Sequence, residues 1–120
     1  MGIKDFFASE FETSDNHLKP VLQTHYYRAG YEETKSAILK LIREYKGKNI
    51  ITNDQYQEIS FQASGYSCVF SVINMRPTES AVDIKISFNM FSLGRGPKLI
   101  EKMYQRLNQL LPFKGTSLYK

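Results

Sequence analysis

The stretch "AVDIKISFNM" at residues 81–90 decides the fold, because apolar and polar side chains alternate along its whole length. Its apolar positions are Val82, Ile84, Ile86, Phe88 and Met90. Successive side chains of a β-strand point to opposite faces of a sheet, so this alternation predicts a strand with one face on a core. We expect the other face to meet water or a partner.

Three further strands are predicted before this one. They are "KNIIT" at 48–52, "YQEISFQA" at 56–63 and "YSCVFSVINM" at 66–75. Turn-forming residues separate the strands, at Asn53-Asp54, Ser64-Gly65 and "RPTES" at 76–80. Because short connections of this kind join neighbouring antiparallel strands, the order predicts a four-stranded antiparallel meander.

A helix is predicted on each side of the meander. The first covers residues 31–46, has two glutamates in its first turn and stops at Gly47. Acidic side chains are favourable near a helix N-terminus, and glycine commonly follows a helix C-terminus. The second begins near Pro97, which suits a first helical position, and ends at Pro112. With both apolar stripes on one sheet face, the fold class is α+β, in the order αββββα and in two layers.

Length and composition fit one domain. The chain has 120 residues, of which 42% are hydrophobic and 23% charged, as in ordinary globular proteins. We place a single α+β domain at residues 21–120 and an N-terminal arm at residues 1–20. In the arm, Phe6, Phe7 and Phe11 recur near helical spacing. This predicts a short amphipathic helix that covers the domain's own core or a second subunit.

Charge and cysteine content restrict the class of protein. The formal net charge is +4, spread along the chain without a polybasic run, so nucleic-acid binding is disfavoured. Cys68 is the only cysteine, which excludes an intrachain disulfide and points to a reducing compartment. No apolar run reaches the roughly 18 residues of a membrane span, and the pattern of a signal peptide is absent. The expected location is the cytoplasm.

The segment "LGRGPK" at 93–98 opens the second helix and is the candidate anion site. Glycines let the backbone approach an anion, and a helix N-terminus offers free N–H groups. The alternative is that the glycines only turn the chain, since Pro97 removes a donor and no phosphate-binding fingerprint is complete. The candidate anion-binding residues are Arg95, Gly96, Lys98, Lys102 and Arg106. The last three lie on one face of the helix, which is equally explained as a solvated face, and Glu101 dilutes their charge.

No residues predict catalysis, a metal site or a cofactor. Cys68 alternates with apolar residues of its strand, which predicts a buried role for its thiol. His17 and His25 have no second ligand at metal spacing. Asp83 lies mid-strand between apolar neighbours, so we expect a lysine or arginine on a neighbouring strand to pair with it. We therefore predict that the protein is not an enzyme.

The strand at 66–75 carries the main functional prediction, because it is apolar on both faces. One face carries Phe70 and Val72, and the other carries Val69, Ile73 and Met75. This predicts a non-enzymatic cytosolic binding or assembly module that forms a homodimer or docks an unidentified protein through the second face and the aromatic arm. The competing hypothesis is a small-anion or nucleic-acid binder that uses the basic side chains of the second helix.

Three stretches of the chain resemble a family of small, uncharacterised cytosolic bacterial proteins. They are "ETSDNHLKPVLQTHYYR" at 12–28, "ESAVDIKIS" at 79–87 and "GRGPKLIEKMYQRLNQLLP" at 94–112. The resemblance runs from about Glu12 to Pro112 and implies a helix, a four-stranded meander and a helix in a cytosolic protein. It implies no activity, and no functional residue is carried over from it.

Overall fold

The computed structural model of the chain describes residues 10–90 and 94–116. Within them the fold is α+β, as predicted, with two α-helices, a short 3-10 helix at Pro20–Leu22 and one antiparallel sheet. The helices are α1, Tyr31–Glu44, and α2, Gly96–Leu110. Both pack against the sheet and against each other, so the described part of the chain forms two layers.

The sheet is larger than predicted. Its strands are β1 Glu10–Glu12, β2 His25–Tyr27, β3 Lys48–Asn53, β4 Glu58–Ala63, β5 Tyr66–Arg76, β6 Glu79–Phe88 and β7 Phe113–Thr116. The predicted meander is present as β3 to β6, in which each strand pairs antiparallel with the next. The prediction of a four-stranded sheet between two helices is wrong, because β1, β2 and β7 extend the sheet beyond β6.

The three additional strands are short and pair over long sequence distances. β1 and β2 follow one another along the edge of β6 that β5 does not occupy, and β7 pairs with β2. Segments of three or four residues are too short for an alternating pattern to identify them as strands. Their extended conformation depends on the neighbouring strand, which supplies the hydrogen-bond partners.

β1 and β2 are two parts of one interrupted strand. β1 ends opposite Lys85 and β2 begins opposite Val82, so together they cover most of the same edge of β6. Residues 14–23 leave the sheet between them, and we call this segment the excursion. Its two ends meet where the amide of Thr24 donates to the carbonyl of Ser14 at 3.2 Å. The sheet therefore continues past the excursion with little disturbance.

The N-terminal arm differs from its prediction where the structure describes it. Phe11 lies in the extended strand β1 and not on a helix. Its ring is buried and meets the ring of Phe88 edge-on, with 6.3 Å between the ring centroids. Phe6 and Phe7, with the rest of residues 1–9, lie outside the described residues. Phe11 itself is part of the core of the domain.

The helices bury their predicted apolar stripes. The buried side chains include Ile38, Leu41 and Ile42 of α1 and Ile100, Met103 and Leu107 of α2. α1 ends two residues before the predicted boundary, since Lys46 adopts a left-handed φ of 56° and the amide of Gly47 closes the turn on the carbonyl of Ile42. In the described part of the chain, no helix is long and apolar enough to cross a membrane.

The face of the sheet opposite the helices, here called the open face, is largely polar. Val69 of β5 lies there between Ser60 of β4 and Lys85 of β6. Ile73 lies further along β5, with 51% of its surface exposed. On the inward face of β5, Cys68, Phe70 and Val72 are buried. The apolar side chains that β5 presents to the open face are thus interrupted by polar neighbours.

Candidate functional site

The glycines at the start of α2 serve the turn and the packing. Gly94 has a φ of 79°, a left-handed conformation that favours glycine. Gly96 is buried, and a Cβ at this position would overlap the ring of Phe11. The absence of a side chain at Gly96 therefore lets β1 pack against α2. This geometry accounts for Gly96 without an anion.

Three of the predicted basic residues surround one cleft. The cleft has a volume of about 270 Å³ and is lined by Tyr66, Phe88, Arg95, Lys98, Leu99 and Lys102. It lies where the start of β5 and the end of β6 meet the first two turns of α2. We call it the basic cleft.

The floor of the basic cleft is apolar and partly aromatic. Tyr66 and Phe88 are opposite one another in the β5–β6 pair, and their ring centroids are 5.9 Å apart at an interplanar angle of 49°. Burial is the main cause that raises the pKa of Tyr66 to about 12, so its hydroxyl is neutral and able to donate at physiological pH. Leu99 is half-buried beside the two rings.

The rim of the basic cleft is cationic. The guanidinium carbon of Arg95 lies 5.2 Å from the centroid of the Phe88 ring, in a cation–π arrangement. Lys98 and Lys102 are exposed and one helical turn apart, which places them side by side on α2. Within the described ranges, neither lysine has an ion-pair partner. The two positive charges therefore lie together, and no carboxylate of the described residues holds either of them in an ion pair.

Arg106 does not belong to this site. Its guanidinium forms a bidentate ion pair with Glu44 of α1, from Nε to Oε1 at 2.9 Å and from Nη2 to Oε2 at 2.8 Å. The hydrogen bonds from Arg106 lower the pKa of the Glu44 carboxyl. The predicted row of cations is thus divided, with Arg106 joining the two helices and the other three residues at the cleft.

Glu101 is not among the residues that line the basic cleft. It lines a second cleft of about 250 Å³, together with His25, Tyr104 and Gln105. Glu101 is three positions after Lys98, a spacing at which side chains are neighbours on a helix. The expectation that Glu101 dilutes the charge of the basic rim therefore stays a prediction.

The other residues considered from the sequence, one cysteine and two histidines, take part in packing or in hydrogen bonds of the fold. Cys68 is buried in the core, as predicted, and burial raises the pKa of its thiol. His25 stacks on Tyr104 with 3.6 Å between ring centroids, and its Nδ1 lies 3.2 Å from Oδ1 of Asn108. Burial lowers the pKa of His25 to about 4, so the ring is neutral at pH 7. His17 lies in the excursion, where its Nδ1 accepts the amide of Lys19.

Asp83 is held by hydroxyl groups and not by the predicted cation. Its Oδ1 accepts hydrogen bonds from Thr13 Oγ1 at 2.7 Å and from Thr24 Oγ1 at 2.5 Å. Burial is the main cause that raises the pKa of the Asp83 carboxyl, and the two threonines partly offset it. The carboxylate borders an open groove of about 410 Å³ on the open face, lined also by Glu12 and Glu58.

The cations of the basic cleft were predictable from the sequence, whereas the aromatic floor was not. Tyr66 begins one strand and Phe88 ends the next, so the two rings are 22 positions apart in the chain. In an antiparallel hairpin the start of one strand meets the end of the other, which is the signal that predicts their contact. Applying it requires the register of the hairpin, and the turn in "RPTES" at 76–80 alone does not define that register.

No protein-family model matches this chain, and no curated protein matches it either. The resemblance described above therefore stays a prediction. Within residues 10–90 and 94–116, no group of three or more histidine, cysteine, aspartate or glutamate side chains is arranged to hold a metal ion.

Proposed function

We propose that the protein is a non-enzymatic binding module that holds a small anion in the basic cleft. The observation that carries this proposal is the contrast along one helix. Arg106 is neutralised by Glu44, whereas Lys98 and Lys102 lie at the cleft without an ion-pair partner among the described residues. An anion between these lysines and Arg95 would remove the repulsion between like charges.

The chemistry of the three cations suits a carboxylate or a phosphate. An arginine guanidinium offers a planar fork of N–H groups that matches two anionic oxygens, and lysine adds a mobile point charge. The cations are confined to the first two turns of α2, and the two aromatic rings pack on each other in one corner. A nucleic-acid strand would instead need a longer basic track with separate stacking surfaces. The site therefore favours a small ligand.

The experiment is a titration of the ¹⁵N-labelled protein with inorganic phosphate, followed by amide chemical shifts. We expect shifts at residues 94–102, and binding that weakens between about 20 mM and about 200 mM salt. The double variant Lys98→Ala/Lys102→Ala should lose about tenfold in affinity, which is about 1.4 kcal/mol. Lys40→Ala/Lys48→Ala is the matched control, since both lysines are exposed elsewhere. An equal loss in both double variants would refute the proposal.

A second candidate function is self-association through the open face. Ile73 on this face and Met75 at the adjacent bulge of β5 are exposed, at 51% and 38%. Sedimentation equilibrium of the full chain, of Ile73→Lys and of a chain without residues 1–9 tests this candidate. A dimer that Ile73→Lys dissociates supports it, whereas a monomer in all three samples removes it. In either candidate we place the protein in the cytoplasm, where its single thiol would stay reduced.

A further inference from the structure

The basic cleft is amphipathic, since its deepest side chains are apolar and its outermost ones are charged. Phe88 is buried, Tyr66 and Leu99 are half-buried, and Lys98 and Lys102 are exposed. A free inorganic anion would use only the charged rim and would leave the apolar floor in contact with water. Covering that floor with an apolar group is favourable, because it removes apolar surface from water.

Arg95 connects the rim with the floor. Its guanidinium lies over the face of Phe88, at 5.2 Å from the ring centroid. The positive charge of Arg95 is thus held against the aromatic floor, where it attracts an anionic group. An anionic group on Arg95 therefore lies directly beside the aromatic floor. A ligand that uses both features needs its apolar group bonded close to its charge.

The floor favours an aromatic group over an aliphatic one. The rings of Tyr66 and Phe88 are tilted by 49° with 5.9 Å between centroids, and both line the cleft together with Leu99. Aromatic rings gain from edge-to-face and offset contacts at centroid distances of about 4.5–7 Å, beyond what area burial provides. An alkyl group in the same place gains from area burial alone.

The volume limits the size of the ligand. The cleft encloses about 270 Å³, slightly below the roughly 300 Å³ from which drug-sized pockets begin. One ring with its anionic group matches this space. A long acyl chain or a polymer would extend far beyond it.

We infer that the basic cleft selects a small aromatic anion, in which a single ring carries a carboxylate or a phosphate monoester. This inference rests on the proposed anion-binding function and adds the ring to it. The ring packs on Tyr66, Phe88 and Leu99, and the anionic group lies between Arg95 and the two lysines.

The test compares four probes on the full chain at low salt: inorganic phosphate, phenyl phosphate, butyl phosphate and benzoate. Affinity is measured from the amide shifts of residues 94–102. We expect phenyl phosphate to bind about tenfold more tightly than inorganic phosphate and at least about threefold more tightly than butyl phosphate. Benzoate should move the same amides, and its affinity relative to phenyl phosphate shows which anionic group the rim prefers.

A substitution in the floor of the cleft tests the contribution of the ligand's ring to affinity separately from the contribution of its anionic group. Leu99→Ala should lower the affinity for phenyl phosphate about threefold or more relative to the affinity for inorganic phosphate. Leu18→Ala is the matched control, because Leu18 is 96% exposed on the excursion, and it should change neither affinity. If Leu99→Ala does not fold, Tyr66→Leu tests the same point, since it replaces a ring of the floor by an aliphatic side chain.

The outcomes distinguish this inference from the function on which it rests. Equal affinity for phenyl phosphate and inorganic phosphate, or for phenyl phosphate and butyl phosphate, would overturn the aromatic inference and leave anion binding in place. Phenyl phosphate that binds equally well to Lys98→Ala/Lys102→Ala would overturn both, as would the absence of binding by every probe.

Discussion

Thr13 and Asp83 are 70 positions apart in the chain and are joined by a hydrogen bond of 2.7 Å from the threonine hydroxyl to the carboxylate. Thr24 donates to the same oxygen from the other side of the excursion. Among the described residues, no lysine or arginine forms an ion pair with Asp83. One carboxylate on β6 thus fixes both ends of the interruption between β1 and β2.

The variant Asp83→Asn should keep an oxygen that accepts the hydrogen bonds of Thr13 and Thr24, and it removes the carboxyl group that titrates. Burial raises the pKa of Asp83 above its ordinary value of 3.8. With a raised folded pKa, the stability that Asp83 contributes is complete below pH 3.8 and is lost as the pH rises through the folded pKa. We therefore expect the variant to have an equal or higher Tm at pH 7, with the difference disappearing below pH 3.8. Thermal unfolding across this range measures it, and a variant that is less stable at pH 7 contradicts it.

His25 should make the protein less stable in mild acid. Burial lowers the pKa of His25 from 6.5 to about 4, and the hydrogen bond with Asn108 opposes this. The unfolded chain takes up this proton first, so stability is complete above pH 6.5 and is lost as the pH falls towards 4. After allowance for partial solvent exposure we expect a loss of about 2 kcal/mol.

Urea unfolding between pH 7 and pH 4 measures this loss, with His25→Gln and His17→Gln as matched variants of the two histidines of the chain. The first should remove most of the pH dependence that His25 causes, and the second should preserve it. If both variants keep the full dependence, another group titrates in this range.

Gly96→Ala should destabilise the fold by steric overlap. The added methyl group would meet the ring of Phe11, which is itself packed against Phe88. Overpacking of this kind costs about 1–3 kcal/mol. In the double variant Gly96→Ala/Phe11→Leu the smaller side chain should recover part of the loss, so a double-mutant cycle by urea unfolding should give a favourable coupling energy. Purely additive losses would show that the two residues do not interact.

Glu44→Gln should weaken the contact between α1 and α2. Hydrogen bonds from Arg106 lower the pKa of the Glu44 carboxyl below its ordinary value of 4.5, so its contribution is present above pH 4.5 and is lost as the pH falls below that value. We expect a small decrease in Tm at pH 7 that shrinks in high salt. Arg106→Gln should have a similar effect, and the double variant should be no worse than either single one. Additive decreases would mean that the ion pair is not formed in solution.

The long strands and the helices were predictable because each repeats its pattern many times. β6 alternates over its full length, and α2 keeps its apolar stripe from Ile100 to Leu107. β1, β2 and β7 have no such repetition, and they become strands only when a distant partner supplies hydrogen bonds. Phe11 shows the difficulty, since its spacing from Phe6 and Phe7 matches a helix while its pairing with β6 makes it extended.

The candidate site was predictable in its charges and not in its shape. Arg95, Lys98 and Lys102 are close in sequence, so a helix brings them together without further information. Arg106 follows the same spacing, but its partner Glu44 lies 62 positions away on another helix. Which cations are neutralised, and which apolar side chains lie beneath them, depends on tertiary contacts that helical periodicity does not contain.

The interrupted strand also has a consequence for the order of events during synthesis. β1 and β2 leave the ribosome before β6, whose paired residues follow them by 53 to 77 positions. At about 5–20 residues per second, these two segments wait roughly 3 to 15 seconds for their partner. Because a single carboxylate on β6 then receives both threonine hydroxyls, the arrival of one strand closes both ends of the excursion together. The N-terminal quarter of the domain is therefore completed late, by a strand from its C-terminal half.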